Sequence, residues 1–333
     1  MKKRIFVLYT GGTIGMQQSG QGLQPDTALA GSALQPYADQ LDFDWHIMQP
    51  LIDSSALTVQ NWRDWLVILA EKIPQYDGIL VLHGTDTMAY TANLFALALQ
   101  GLDKPVVLTG SQLPFNAPDS DAPHNLAAAV ALLECDDTPQ VSIVFNGKQY
   151  PAVGSSKVST ETAAGFDNPH FGALAEWTAT DGWKRVAEAR LPDAVVPKLR
   201  LLDTAAKVVC HTLIPGFAVE ALAESLDSGR AGAVIVQSYG HGNAPDDTGF
   251  IEAVRRYTGR GGLLLNISQA AQGCVAAVYA QGSALRAAGA VSGGKCNLET
   301  ATVLLTLALS EGWTASLLAD ELQRLRLTET APA

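Results

Sequence analysis

The sequence predicts an α/β fold of two α/β domains, a larger N-terminal parallel-sheet domain and a smaller C-terminal α/β domain joined by a linker. Three observations carry this. Short apolar runs rich in branched residues recur at 4–9, 45–51, Gly78–Leu82, 105–108 and Val141–Phe145, and each is followed by a polar or glycine-bearing turn. Helical patterns fill the gaps between them, so strand and helix alternate as they do in parallel sheets with helices on both faces. The rhythm then lapses over 179–207, where Pro192 and Pro197 stand among mixed charges, and resumes at Val208–Thr212. These breaks place the domains at 1–180 and 208–333, with the linker at 181–207.

The first strand, 4–9, runs into Thr10-Gly11-Gly12-Thr13-Ile14-Gly15. As a dinucleotide fingerprint this is weak, because Thr10 stands where the first glycine belongs. The turn offers backbone N–H groups beside the hydroxyl of Thr13, a pairing that suits a nucleophile with an oxyanion site. Residues 17–35 are polar, carry Gly20, Gly22, Pro25 and Gly31, and are long for a connection, as lids often are. The second strand, 45–51, ends at Asp53-Ser54-Ser55, and a helix over Val59–Lys72 follows with Thr58 as its cap.

The third strand, Gly78–Leu82, ends in His83-Gly84-Thr85-Asp86-Thr87, before a helix over 88–99. Open α/β sheets place ligands at this carboxyl end. Helix capping accounts for one Thr or Asp there, but three polar side chains in succession exceed that need. The fourth strand, 105–108, ends in Thr109-Gly110-Ser111-Gln112. The next helix starts at Asp119-Ser120-Asp121 and runs to about residue 133; after the fifth strand, 150–160 reads as a hairpin arm carrying Lys157. In the second domain, strands are expected at Val208–Thr212, 233–237 and 262–267, and helices at 218–228, 250–257, 299–309 and 315–325.

Composition narrows the function. Of 333 residues, 47% are apolar and 17% charged, enough apolar material for sizeable cores. A net charge of -11 repels phosphate backbones, so nucleic acid is not expected as a partner. No apolar run is long enough to span a bilayer, and the basic start Met1-Lys2-Lys3-Arg4 precedes too short an apolar run for a signal peptide, which predicts a cytoplasmic protein without membrane partners. Cys135, Cys210, Cys274 and Cys296 form no CxxC pair and are expected as free, mostly buried thiols. His46, His83, His241 and the other histidines show no ligand spacing, so neither metal nor cofactor is expected.

Thr13, Asp53-Ser54-Ser55 and Thr85-Asp86 thus lie at three strand ends of one parallel sheet, which face the same edge, with Lys157 within reach on its arm. Two threonines, carboxylates and a lysine suggest nucleophilic acyl transfer. Each residue has a plainer alternative: a structural threonine in a glycine turn, a helix cap at Asp53-Ser54-Ser55, a solvated surface charge at Lys157.

The stretches Tyr9-Thr10-Gly11-Gly12-Thr13-Ile14-Gly15-Met16 and Leu82-His83-Gly84-Thr85-Asp86-Thr87-Met88-Ala89-Tyr90 closely resemble the two signature motifs of bacterial-type L-asparaginases. The resemblance continues at Asp53-Ser54-Ser55, 108–112, Lys157 and Ser238-Tyr239-Gly240-His241-Gly242-Asn243-Ala244-Pro245, and its wording is similar to the cytoplasmic type I branch. It implies that Thr13 attacks the side-chain amide of L-asparagine and carries a β-aspartyl ester. It further implies that Thr85 activates the nucleophile or the water, that Lys157 favours the deprotonated hydroxyl, and that Asp86 orients Lys157 and binds the α-ammonium. Ser54, Ser55 and the backbone at Asp53 would hold the α-carboxylate. The order in which the threonines act is not decided by the sequence. A homodimer or homotetramer is implied, and Thr13 and Thr85 are expected in exposed turns.

There are departures. The family's lid tyrosine has no counterpart between Tyr9 and Tyr37, and Leu23 takes its place in the alignment. Residues 270–298 hold no Asp or Glu to complete the first threonine's relay. Positions used by some type I members for a second asparagine site read Gln237 and Ala270. Two other functions share the motifs or the fold: the amide-hydrolysing subunit of a tRNA-dependent amidotransferase, and a weakly catalytic amino-acid-binding protein.

Overall fold

The computed structural model describes residues 2–19, 22–25, 27, 29–188, 198–276 and 280–328, with backbone alone at 18, 19, 22–25, 30, 31 and 280–283. The chain forms two compact units, Met1–Leu199 and Arg200–Ala333.

The first unit is built on an eight-stranded sheet. Its strands are β1 (Lys3–Gly11), β2 (Leu41–Ile52), β3 (Gly78–Leu82), β4 (Val106–Thr109), β5 (Val141–Phe145), β6 (Lys148–Pro151), β7 (Ala175–Thr178) and β8 (Gly182–Arg185). The spatial order is β8-β7-β6-β5-β4-β3-β1-β2. The pairs from β2 to β5 are parallel and those from β5 to β8 antiparallel. Residues 5–9 of β1 are buried on both faces, as expected of a central parallel strand. Ile5, Val7 and Tyr9 pack in one core with Leu126, Ala129, Val130 and Leu133 of helix α3 (Ala122–Cys135). Helix α1 (Val59–Lys72) buries Trp62, Trp65, Leu66 and Leu69, and is started by a capping box between Thr58 and Asn61. Helix α2 (Thr85–Ala98) is buried around most of its circumference, consistent with its apolar sequence.

The antiparallel half of this sheet departs from the all-parallel expectation. Asn146 and Gly147, both at positive φ, make the tight turn of a β5–β6 hairpin, the backbone such turns require. Hairpins need no crossover helix, so this region lacks the strand–helix rhythm. For the same reason Gly182–Arg185, read as the start of a linker, is an edge strand of the sheet. The arm over 150–160 is not one hairpin either: Lys148–Pro151 belongs to the main sheet, while Ser156–Lys157 pairs separately with Phe166–Asp167.

The second unit has a four-stranded parallel sheet in the order β9 (Val208–Thr212), β10 (Ala233–Ser238), β11 (Leu263–Ser268) and β12 (Val291–Ser292). Helices α4 (Ala218–Asp227), α5 (Thr248–Gly259), α6 (Ala280–Ala287), α7 (Leu298–Glu311) and α8 (Ala315–Arg324) accompany it. Asp247, Asn297 and Thr314 cap α5, α7 and α8 through their side chains. The short α6 and β12 lack the length that makes a periodic pattern visible in sequence. Glu321 of α8 is buried between Arg200, 2.7 Å away, and Arg324, which holds it by two bonds of 2.8 Å. Burial pushes its carboxyl up, but the bonds from the two guanidinium groups outweigh that and hold it below the usual range.

All four thiols are free, but Cys135 and Cys210 are exposed, Cys274 is partly buried and only Cys296 is buried, against the expectation of mostly buried thiols. The reason is placement: Cys135 closes the end of α3, and Cys210 lies on the edge strand β9. Among the described residues no helix is long and apolar enough to cross a membrane, and no cluster of His, Cys, Asp and Glu could hold a metal ion.

Candidate active site

Parallel register brings the carboxyl ends of β1, β2, β3 and β4 to one edge, with Tyr9 opposite Leu82, Leu82 opposite Thr109 and Gly11 opposite Ile52. The turns that follow are in backbone contact. Gly12 stands at φ +93, and a Cβ there would lie 2.3 Å from the Cα of Gly84. A Cβ on Gly84 would lie 2.5 Å from the Oγ of Ser54. Only glycine fits either place. Hydrogen bonds lock the same turns together: Thr10 Oγ1 donates to Leu82 O (3.0 Å), His83 N to Thr109 O (3.0 Å) and Thr87 Oγ1 to Ser54 O (2.9 Å).

Thr13 opens a short 3-10 turn, Thr13–Gly15, directly after Gly12 and is half-buried. The buried Ile14 pins this turn, and its carbonyl accepts from Phe115 N at 3.0 Å. Thr85 is the first residue of α2; its N-cap is Gly84, which offers no side-chain cap, so the Thr85 hydroxyl is not spent on capping. That hydroxyl accepts instead from Lys157 Nζ at 2.7 Å, and Asp86 Oδ1 accepts from the same ammonium at 2.8 Å. Thr85 is only 5% exposed, which corrects the expectation of an exposed turn: the arm carrying Lys157 packs over it. The Lys157 side chain is 16% exposed and that of Asp86 56%, so the ion pair has a dry side toward Thr85 and a wet side toward solvent.

At the end of β2, Ser54 is buried against Gly84, whereas Asp53 and Ser55 are exposed at the rim. The Asp53 carboxylate accepts from Ser55 N at 2.9 Å and caps the short turn Ser54–Ala56. The geometry therefore brings Thr85, Asp86 and Lys157 into direct contact and sets the Thr13 and Ser54 turns against Gly84. Asp53 and Ser55 share no bond with that trio.

Several supporting residues escaped the sequence reading. His83 Nδ1 donates to Gly84 O at 2.7 Å, while its Nε2 accepts from Thr91 Oγ1 at 2.9 Å. Thr91 accepts in turn from Trp62 Nε1 at 2.9 Å, and Trp65 meets the imidazole edge-on at 5.4 Å. Burial pushes the His83 pKa down to about 4, so the ring is neutral, with its proton on Nδ1 facing the carbonyl. The chain Trp62–Thr91–His83 thus fixes the turn that presents Thr85. Gln112 Nε2 donates to Ser159 O (2.9 Å) and Thr162 O (3.3 Å), holding the outer loop of the Lys157 arm. Asp121 accepts from the backbone N–H of Gln112 and Leu113, and Asn125 from that of Asn146 while donating to Gly110 O. His83 and Gln112 had a sequence signal as members of polar strand ends and Asp121 as a helix start; Thr91, Trp62, Trp65 and Asn125 are single residues within helices and had none.

The region expected to form a lid is a small hairpin in which Met16–Ser19 pairs with Gly22–Pro25 and Gln18 stands opposite Leu23. The Leu23 side chain lies outside the described residues. In the second unit, Gln237 Oε1 accepts from Thr212 Oγ1 at 2.7 Å, and Ala270 N donates to Ser268 Oγ at 3.0 Å.

Two family models match the chain, "Asparaginase, N-terminal" over residues 4–188 and "Glutaminase/Asparaginase C-terminal domain" over 207–320. L-asparaginase 1 of Escherichia coli (strain K12) is 33% identical over 318 residues, covering 93% of each chain. Among solved structures, L-asparaginase I of Vibrio cholerae superposes with a TM-score of 0.85 at 28% identity over 97% of both chains. The thermostable L-asparaginase of Thermococcus kodakarensis does so with a TM-score of 0.87 at 25% identity, over 99% of this chain and 100% of its own. With the strand-end threonines, the two-unit α/β fold and these matches in agreement, the chain belongs to the asparaginase family.

Proposed function

We propose that this protein hydrolyses the side-chain amide of L-asparagine to L-aspartate and ammonia, through a threonine nucleophile and an acyl-enzyme. The observation that carries the reading is the Lys157 ammonium bonded to both the Thr85 hydroxyl and the Asp86 carboxylate, beside the turn of Thr13. In this reading Thr13 Oγ attacks the amide carbon, and backbone N–H groups of the glycine turn stabilise the developing oxyanion. The hydroxyl proton passes to the leaving nitrogen, which departs as ammonia and leaves a β-aspartyl ester on Thr13. Thr85, its deprotonated form favoured by the adjacent charge of Lys157, activates the water that hydrolyses the ester. Asp86 binds the substrate's α-ammonium on its exposed side. Ser54, Ser55 and the backbone at Asp53 receive the α-carboxylate. The same reading makes the working enzyme a cytoplasmic homodimer or homotetramer.

An ammonia-release assay against L-asparagine, L-glutamine and the D-isomers tests this. One extra methylene in a fitted pocket is worth about 1–3 kcal/mol, so asparagine should be preferred over glutamine by roughly ten- to two-hundred-fold in kcat/KM. Binding of L-asparagine without ammonia release would favour the amino-acid-binding alternative and refute the proposal.

A further inference from the structure

Lys157 makes the contacts on which this chemistry rests, and a short ladder holds its backbone: Ser156 stands opposite Asp167 and Lys157 opposite Phe166, and Val158 N donates to Gly165 O at 2.8 Å. Phe166 rests on the Phe145 ring at 4.9 Å, and Gln112 ties the outer loop at Ser159 and Thr162. Neither reaches the turn 151–155 that leads into the arm. Asn168 does, and it is 1% exposed. Its amide nitrogen donates toward Pro151 O (3.2 Å), Val153 O (2.9 Å) and Ser155 Oγ (3.3 Å). Its Oδ1 accepts from Phe171 N at 3.2 Å, and its own backbone N–H donates to Asp167 Oδ1 at 2.8 Å. The turn is moulded to this carboxamide: Gly154 stands at φ +87, where a Cβ would lie 3.1 Å from Asn168 Oδ1, and the buried Ser155 donates back to Pro151 O at 2.6 Å.

One buried side chain therefore joins the segment that leads into Lys157 to the strand paired with it. We propose that Asn168 is a positioning residue for amide hydrolysis, holding the Lys157 backbone so that Nζ stays on Thr85; this rests on the function proposed above. Asn168 touches neither Thr85 nor Asp86 and acts only through the arm. Its fit is specific to a carboxamide, because a group whose two N–H protons serve three nearby oxygens and whose oxygen accepts from one N–H has no equivalent in a carboxylate or an apolar side chain. A misplacement of about 1 Å at a catalytic group can cost roughly 10²-fold in rate.

The test compares wild type, Asn168→Ala and Asn168→Asp, each alone and with Lys157→Met, by ammonia-release kinetics normalised to folded enzyme and by crystal structures. The aspartate keeps the volume and the acceptor for Phe171 N, loses the donors, and carries the same readouts if the alanine variant does not fold. We expect kcat to fall by roughly 10- to 100-fold with KM within about twofold, and Lys157 Nζ to move beyond hydrogen-bond reach of Thr85. On the Lys157→Met background the Asn168 substitution should add no further loss, because both act through the same ammonium. Retention of the Lys157–Thr85 bond in a folded variant, or a loss that adds in full to that of Lys157→Met, would overturn the proposal. If wild type releases no ammonia from asparagine the functional reading fails, and the Lys157–Thr85 distance in the variants still decides the role of Asn168.

Discussion

At the residue scale, the buried imidazole of His83 shows how a group remote from substrate enters both geometry and stability. Its Nδ1–H holds the Gly84 carbonyl and its Nε2 is held by Thr91, an arrangement only the neutral ring can make. The folded pKa, about 4, lies below the ordinary value of 6.5. The stability it contributes is therefore complete above 6.5 and is lost as pH falls from there toward 4. Acidifying from pH 7 to 5 should cost roughly 2 kcal/mol through this group. His83→Asn keeps a donor near Gly84 O but does not titrate, so its unfolding free energy should depend less on pH over that range. His211 is also lowered by burial, so only the difference between wild type and variant isolates His83. Urea midpoints at pH 7 and 5 check this; parallel losses in the two proteins would show that His83 is not held neutral.

At the scale of elements, the site exists because the turns after β1 and β3 touch backbone to backbone. Gly12→Ala places a methyl 2.3 Å from Gly84 Cα at φ +93, where L residues are also strained. Kinetics and thermal unfolding should show a fall in kcat/KM of at least about 10²-fold and a stability loss of roughly 1–3 kcal/mol. Normal kinetics in this variant would mean that the two turns can separate without harm. The same elements show what a sequence discloses. Gly78–Leu82 and Val141–Phe145 were legible to the residue because strands buried on both faces are short unbroken apolar runs. Ala175–Thr178 and Gly182–Arg185 were not, because both are four-residue strands in the antiparallel part of the sheet, where no crossover helix marks them. Thr13 and Thr85 stood out as hydroxyls at strand ends. Thr91 and Trp62 could not, since each is one polar group inside a helix and the Trp62–Thr91 bond crosses between two helices, and Asn168 reads in sequence as an ordinary loop asparagine.

At the scale of the whole molecule, the resemblance to type I asparaginases raises the question of cooperative control. Gln237 stands where some members carry an arginine, and its carboxamide oxygen already accepts from Thr212 within its own sheet. A carboxamide cannot give the bidentate recognition that a guanidinium gives a carboxylate. Saturation by asparagine should therefore be hyperbolic, with a Hill coefficient near one in initial-rate measurements. A clearly sigmoidal curve would show that another part of the chain has taken over that recognition.

In the proposed reaction Thr13 carries the substrate as a β-aspartyl ester. Enzyme turning over L-asparagine can be acid-quenched, digested, and its peptides examined by mass spectrometry. One aspartyl group is expected on the peptide containing Thr13, absent from Thr13→Ala, which should also lose turnover by several orders of magnitude. Undiminished ammonia release by Thr13→Ala, or the aspartyl group on any other residue, would contradict it.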